Sequence, residues 1–155
     1  MDADDFDEAS FFRALEAAEV RALVIGRRAL VALGMPVLTA DIDLWVHIDD
    51  TEKLNQAASA CGLEPTMTSA QARARGRYVL EGSEHVDVMI ARSKPTKDGV
   101  VLSFDEAWAQ RQTLAGSALA LPSIAHLILT KRWAMRERDL LDIQYLEELA
   151  TPEKP

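Results

Sequence analysis

Two stretches of the chain alternate apolar and polar residues with a period of two. From Asp41 to Ile48, one side carries Ile42, Leu44, Val46 and Ile48, and the other carries Asp41, Asp43, Trp45 and His47. That division is the one a β-strand makes. From Glu84 to Ile90, Val86, Val88 and Ile90 share one face while Asp87 stands on the other. Ahead of the first strand, the apolar run Leu23-Val24-Ile25 stops at Gly26. A short helical pattern follows, with Ala29, Leu30 and Leu33 on one face, closed by Gly34 with Pro36 beyond.

The remaining pattern predicts helices with a few short extended pieces. An acidic start (Asp2, Asp4, Asp5, Asp7, Glu8) suits the beginning of an amphipathic helix whose stripe is Phe11, Phe12 and Leu15. Asp49-Asp50-Thr51 reads as the cap of a helix through about residue 60. Between Thr66 and Tyr78 the chain is polar, and Arg73, Arg75 and Arg77 alternate. If a strand begins there, the three arginines share a face, either to meet phosphate or RNA or to guard a solvated edge. Gly82-Ser83 predicts a hairpin turn that makes the flanking strands antiparallel. A basic loop from Arg92 to Gly99 (Lys94, Pro95, Lys97) leads to a short strand, Val100-Val101-Leu102. Ser103 and Glu106 then resemble a capping box, for a helix that carries Trp108. Leu119 to Ser123 is extended and caps a helix whose stripe is Ile124, Leu127, Ile128 and Met135. Lys131 lies on that stripe. A lysine there either snorkels to water or meets an anion. Arg138 and Asp142, four apart, predict a helix ion pair, the alternative being that Asp139 and Asp142 orient Lys131 or the base.

Composition narrows the class. At 155 residues and 48% hydrophobic, the chain suits a single domain over 1–150, with a frayed tail at 151–155. No apolar run reaches the roughly 18 residues of a membrane helix, and the acidic beginning lacks a signal-peptide layout. The single cysteine, Cys61, excludes an internal disulfide and makes a reducing cytoplasm the expected setting. A net charge of −8 argues against broad nonspecific binding to nucleic acid.

The chemistry concentrates on the aspartates. Two carboxylates on one strand face repel unless a cation lies between them. Asp41 and Asp43 therefore mark either a divalent metal site or a solvated strand end. Asp87 is a polar break in a good strand, and pairing of the two strands would add a third carboxylate. Leu44-Trp45-Val46, following directly, exclude a calcium loop. His47 and His85 fall on the carboxylate faces, as neighbours of the site or solvated side chains rather than ligands.

The order of these motifs is apolar strand, glycine turn, short helix, Thr39-x-Asp41-Ile42-Asp43-Leu44, then Val86-Asp87-Val88. It resembles the DNA polymerase β-like nucleotidyltransferase superfamily, nearest to the minimal nucleotidyltransferases and the toxin-type enzymes of abortive-infection and toxin–antitoxin systems. Lys131 followed by Arg136-Glu137-Arg138-Asp139-Leu140-Leu141-Asp142-Ile143 is similar to its C-terminal helices. The resemblance, from about residue 20 to 149, implies an α+β fold: a nucleotidyltransferase-like mixed sheet flanked by helices, with C-terminal helices. It implies two Mg²⁺ ions on Asp41, Asp43 and Asp87, and NTP as substrate, received at Gly26, Arg27, Arg28 and Lys131. An NMP would pass to a hydroxyl of RNA, protein or a small molecule such as an antibiotic, with Asp87 also able to act as base. A cognate toxin or antitoxin is the implied partner. The family usually has Gly-Gly or Gly-Ser at the turn, and this chain has Gly26-Arg27. Arg27 either holds a phosphate or fills its place, which would leave a non-catalytic binding module.

Overall fold

The computed structural model describes residues 6–38, 41–91, 99–132 and 137–151, with side chains in the last stretch from residue 139. The first acidic residues, Thr39, the basic loop at 92–98, Met135, Arg136, the side chain of Arg138 and the tail beyond 151 lie outside these. The elements in order are α1 (Glu8–Ala17), β1 (Ala22–Ile25), α2 (Gly26–Ala32), β2 (Ile42–Val46), α3 (Thr51–Ala60), β3 (Glu64–Pro65), α4 (Ser69–Arg75), β4 (Arg77–Glu81), β5 (His85–Ile90), α5 (Phe104–Ala109), β6 (Gln112–Thr113), β7 (Ala120–Leu121), α6 (Ile124–Lys131) and α7 (Glu137–Ala150). Among the described residues, no helix is long and apolar enough to cross a membrane.

Five strands form one mixed sheet in the order β1-β2-β5-β4-β3, and β6 pairs with β7 separately. Only β2 and β5 run parallel within the larger sheet; its other neighbours are antiparallel, including the expected β4–β5 hairpin. A parallel pair needs a crossover, and here α3, β3, α4 and β4 supply it. The alternation of β2 and β5 then sorts the two faces. Ile42, Leu44, Val46, Val86, Val88 and Ile90 enter the main core with Phe11, Phe12 and Leu15 of α1, Leu30 of α2 and Leu54 of α3. Each fully buried side chain of that size contributes about 2 kcal/mol. On the other face Trp45 is buried with Leu23, Ile25, Leu102, Phe104 and Ala107. Phe104 meets Trp45 edge-on, with ring centroids 4.9 Å apart. Asp43, two residues before Trp45 on the same face, is half-buried.

Three expectations are corrected. Arg73 and Arg75 lie in α4, and only Arg77 lies in a strand. Thr68 caps that helix in a reciprocal capping box with Gln71, and Gly76 ends it in the left-handed conformation. The three arginines therefore share no strand face. Asp50 stands before α3 but its side chain makes no cap bond; its carboxylate instead accepts two hydrogen bonds from the Arg21 guanidinium. Val100 to Leu102 is not a strand, since only Val101 makes an isolated bridge. Ser103 and Ser123 cap α5 and α6 as expected.

Candidate functional site

The site begins where the parallel pair begins. Asp43 and Asp87 occupy the same register on β2 and β5. Side chains at paired positions point to the same face, so the two carboxylates are neighbours by topology. Asp41 lies exposed just before β2. Burial pushes the Asp43 carboxyl above its ordinary value, and the charges of Asp87 and then Asp41 add to the effect. Lys131 and Arg77 act in the opposite direction. The sequence thus placed three acids together, and the fold brings their fields to bear on one another.

On the other side of Asp43, β1 pairs Ile25 with it, so Gly26 leaves the sheet beside the carboxylate. Gly26 has φ +70°, and a Cβ there would lie 2.5 Å from Asp43 Oδ2. Both facts require glycine, the first by backbone conformation and the second by space. The turn that opens α2 is moulded against the Asp43 side chain.

Behind the turn sits a buried charge cluster. Lys131, the last residue of α6, is 7% exposed, and Asp139 and Asp142 of α7 are fully buried. Lys131 Nζ donates to Asp142 Oδ2 at 2.8 Å and lies 3.6 Å from Asp139 Oδ1. Arg27 donates to the same carboxylate through Nε and Nη2, each at 3.4 Å. Lys131 therefore meets anions rather than snorkelling, and Asp142 serves Lys131 and Arg27. Buried charges persist where they are paired in this way.

The other predicted residues fall less centrally. Arg28 turns to Glu8, with Nε 2.6 Å from Oε1. His85 Nε2 lies 3.5 Å from Asp87 Oδ1. His47 packs edge-on against Phe104 and accepts a hydrogen bond from the Asp49 amide. Sequence reasoning treated Arg77 as one of a row, whereas it stands alone on β4. Its register partner is Met89, two residues beyond Asp87 on the carboxylate face. The strand pairing was the missing signal.

The donor set suits a hard divalent cation in kind: it is all oxygen, anionic and mutually repelling. Among the described residues, however, no three histidine, cysteine, aspartate or glutamate side chains converge as a ready metal cage. Mg²⁺ is commonly held by one or two carboxylates with substrate phosphates completing its shell, and the Asp43–Asp87 pair fits that arrangement.

No model of a known protein family matches the chain, and no curated protein matches its sequence. Solved structures do. The solution structure of the antibiotic-resistance factor ANT(2'')-Ia superposes with a TM-score of 0.65 at 15% identity, over 92% of this chain and 81% of that one. ANT(2'')-Ia in complex with adenylyl-2''-tobramycin gives 0.64 at 15% identity, over 92% and 86%. The lincosamide antibiotic adenylyltransferase LnuA, with lincomycin bound, gives 0.62 at 17% identity, over 92% of this chain and 98% of LnuA. The fold is the one these nucleotidyltransferases share, as the sequence motifs implied. The toxin-type branch has no counterpart among the three.

Proposed function

We propose that this chain, built on the nucleotidyltransferase fold, is an enzyme that transfers a nucleoside monophosphate from an NTP to a hydroxyl of a small molecule. The observation that carries the proposal is the in-register Asp43–Asp87 pair, closed on one side by Gly26 and balanced by the field of Lys131. Mg²⁺ held by the Asp43–Asp87 pair, with the substrate phosphates completing its shell and Asp41 adding charge beside it, would neutralise the triphosphate and acidify the acceptor hydroxyl. The two-ion set on all three aspartates is what the resemblance implies. The chain's own part is to position and to move a proton. Gly26 leaves room for the triphosphate at the turn, while Lys131 and Arg27 face its charge. Asp87 takes the hydroxyl proton as the acceptor oxygen attacks the α-phosphorus. The bond from that phosphorus to the bridging oxygen breaks, and pyrophosphate leaves.

A small acceptor is favoured over RNA for two reasons. The arginine row that suggested a polyanion is divided between α4 and β4, and the net charge is −8. The neighbours point the same way, since one is bound to an adenylylated aminoglycoside and another to a lincosamide. A protein acceptor in a toxin–antitoxin setting, in the cytoplasm, has no comparable support. The second reading is a non-catalytic binding module, favoured by one observation: Arg27 is tied to Asp142 where the family usually has a small residue.

The test is label transfer from each α-labelled NTP, with Mg²⁺, to panels of aminoglycosides, lincosamides, bulk RNA and protein. Label on a small hydroxylated acceptor, lost with Asp43→Asn, is the expected result. No transfer to any acceptor, together with no Mg²⁺-dependent NTP binding, would leave the binding module.

A further inference from the structure

The buried carboxylate of Asp142 touches no substrate in the scheme above, yet it joins the two cations that scheme requires. Its Oδ2 accepts from Lys131 at 2.8 Å and from Arg27 Nε at 3.4 Å, and its Oδ1 accepts from Arg27 Nη2 at 3.4 Å. These three residues come from α7, α6 and α2, so one side chain cross-ties the turn after β1 to the C-terminal helices. Arg27 keeps 31% of its side chain exposed while Asp142 is wholly enclosed. A guanidinium has five N–H donors and an ammonium three. One carboxylate cannot saturate both groups: Lys131 also has Asp139 at 3.6 Å, and the part-exposed Arg27 has more N–H donors than its described contacts with Asp142 use.

We infer that Asp142 is a positioning residue for the triphosphate: it fixes Arg27 and Lys131 in one geometry so that their remaining donors converge on the phosphates. The inference rests on the transferase reading and deepens it. Arg27 is then neither a plug nor an independent phosphate ligand, but one arm of a clamp anchored from behind. Two arms held in advance bind an anion without the ordering cost of two long free side chains.

There is a competing expectation with the opposite sign. A carboxylate beside two cations cancels part of their field, so removing it would strengthen phosphate binding if neutralisation were its whole effect. Burial decides between them. With Asp142 gone, Lys131 keeps Asp139 alone of its two described carboxylate partners and Arg27 loses its described anchor, and both arms leave the preset arrangement.

The experiment is calorimetric titration of inorganic tripolyphosphate, and then ATP, into the intact protein, alongside steady-state kinetics. Asp142→Asn is expected to weaken tripolyphosphate binding by about tenfold or more, on the scale of a small misplacement of a positioning group. It should raise KM for NTP well beyond its effect on kcat. After Arg27→Gln, adding Asp142→Asn should cost less than it does alone, because the two act through one contact. Unchanged or tighter tripolyphosphate binding by the folded Asn variant would overturn the inference. If that variant does not fold, Asp142→Glu carries the test. It keeps the charge but displaces both donors, so weaker binding supports the inference and unchanged binding overturns it. Absence of tripolyphosphate binding by the wild-type chain would overturn the inference and the transferase reading together. Normal binding and transfer with an indifferent Asp142 would remove the inference alone.

Discussion

Two buried aspartates, Asp50 and Asp142, each hold an arginine and a lysine, and the contrast between them separates a structural tie from a site under construction. Asp50 Oδ2 accepts from both the backbone amide and Nε of Arg21 at 2.8 Å, and its Oδ1 accepts from Nη2 at 3.1 Å. Lys53 adds a looser contact at 3.6 Å. Burial alone would raise the Asp50 carboxyl, but the bonds from Arg21 overcome it and lower it to about 2. Around Asp142 the arginine contacts are longer and one oxygen is shared between two donors. Short, filled geometry binds the chain to itself. The longer, shared geometry at Asp142 holds Arg27 less tightly, and the charge of Lys131 is also felt at Asp43, whose carboxyl burial has raised. That difference teaches where to look for a ligand.

The comparison is broken most sharply at Asp43. Asp43→Asn should lower transfer by two to three orders of magnitude, about the scale of losing a group that stabilises transition-state charge. Its melting temperature should nevertheless hold or rise at neutral pH. The sign follows from the raised carboxyl. A group whose folded pKa exceeds its unfolded one stabilises the fold at low pH and loses that contribution as pH rises through the folded value. Removing the charge at pH 7 therefore removes a penalty. A variant that loses both activity and stability would contradict this.

Gly26→Ala comes next. The left-handed backbone alone costs about 1–2 kcal/mol, and the new methyl would press on Asp43 Oδ2, so activity should fall with stability. Thermal melts and label transfer on one preparation would check both. Asp50→Asn should cost about 2 kcal/mol of stability, on the scale of a charge-assisted buried hydrogen bond. It should leave transfer intact below the melting temperature. If transfer fell instead, the distinction between the two aspartates would collapse.

Acid sharpens the same point. The carboxyl of Asp50 is depressed from 3.8 to about 2, so its contribution is full above pH 4 and disappears as pH falls from about 4 toward 2. Melting curves across that window should drop steeply for the wild type and less so for Asp50→Asn. The smallest effect is expected at Arg28, whose partner Glu8 is partly exposed. Arg28→Gln should cost well under about 1 kcal/mol and move KM for NTP less than Arg27→Gln does.

Much of this was legible in the chain. Period-two alternation is unambiguous when one face is Ile-Leu-Val and the other carries aspartates, so the faces of Asp43 and Asp87 could be assigned before any pairing was known. Lys131 stood out for the converse reason, as a charge on an apolar stripe. What failed was alternation without an apolar face. Arg73, Arg75 and Arg77 alternate in sequence, but Thr68, Gln71 and Gly76 set a helix start and stop around the first two, and local capping prevailed. Asp50 looked like a cap because caps are chosen locally, whereas its partner Arg21 is reached only across the fold. The spacing of Arg138 and Asp142 falls on a side chain outside the described residues, whereas the alternative, that Asp139 and Asp142 hold Lys131, agrees with the contacts described, and Arg27 joins them from α2. Helical spacing could not have added Arg27, which reaches Asp142 from α2 across the fold.

The parallel junction of β2 and β5 also has a kinetic side. It joins strands that every other element of the crossover separates in the chain, so it is the costly closure in assembling the sheet. Asp43 and Asp87 come into register in that same closure. The repulsion between these two carboxylates therefore falls on the strand pairing with the longest intervening segment in the larger sheet, and the charge state of Asp43 is expected to enter the folding rate.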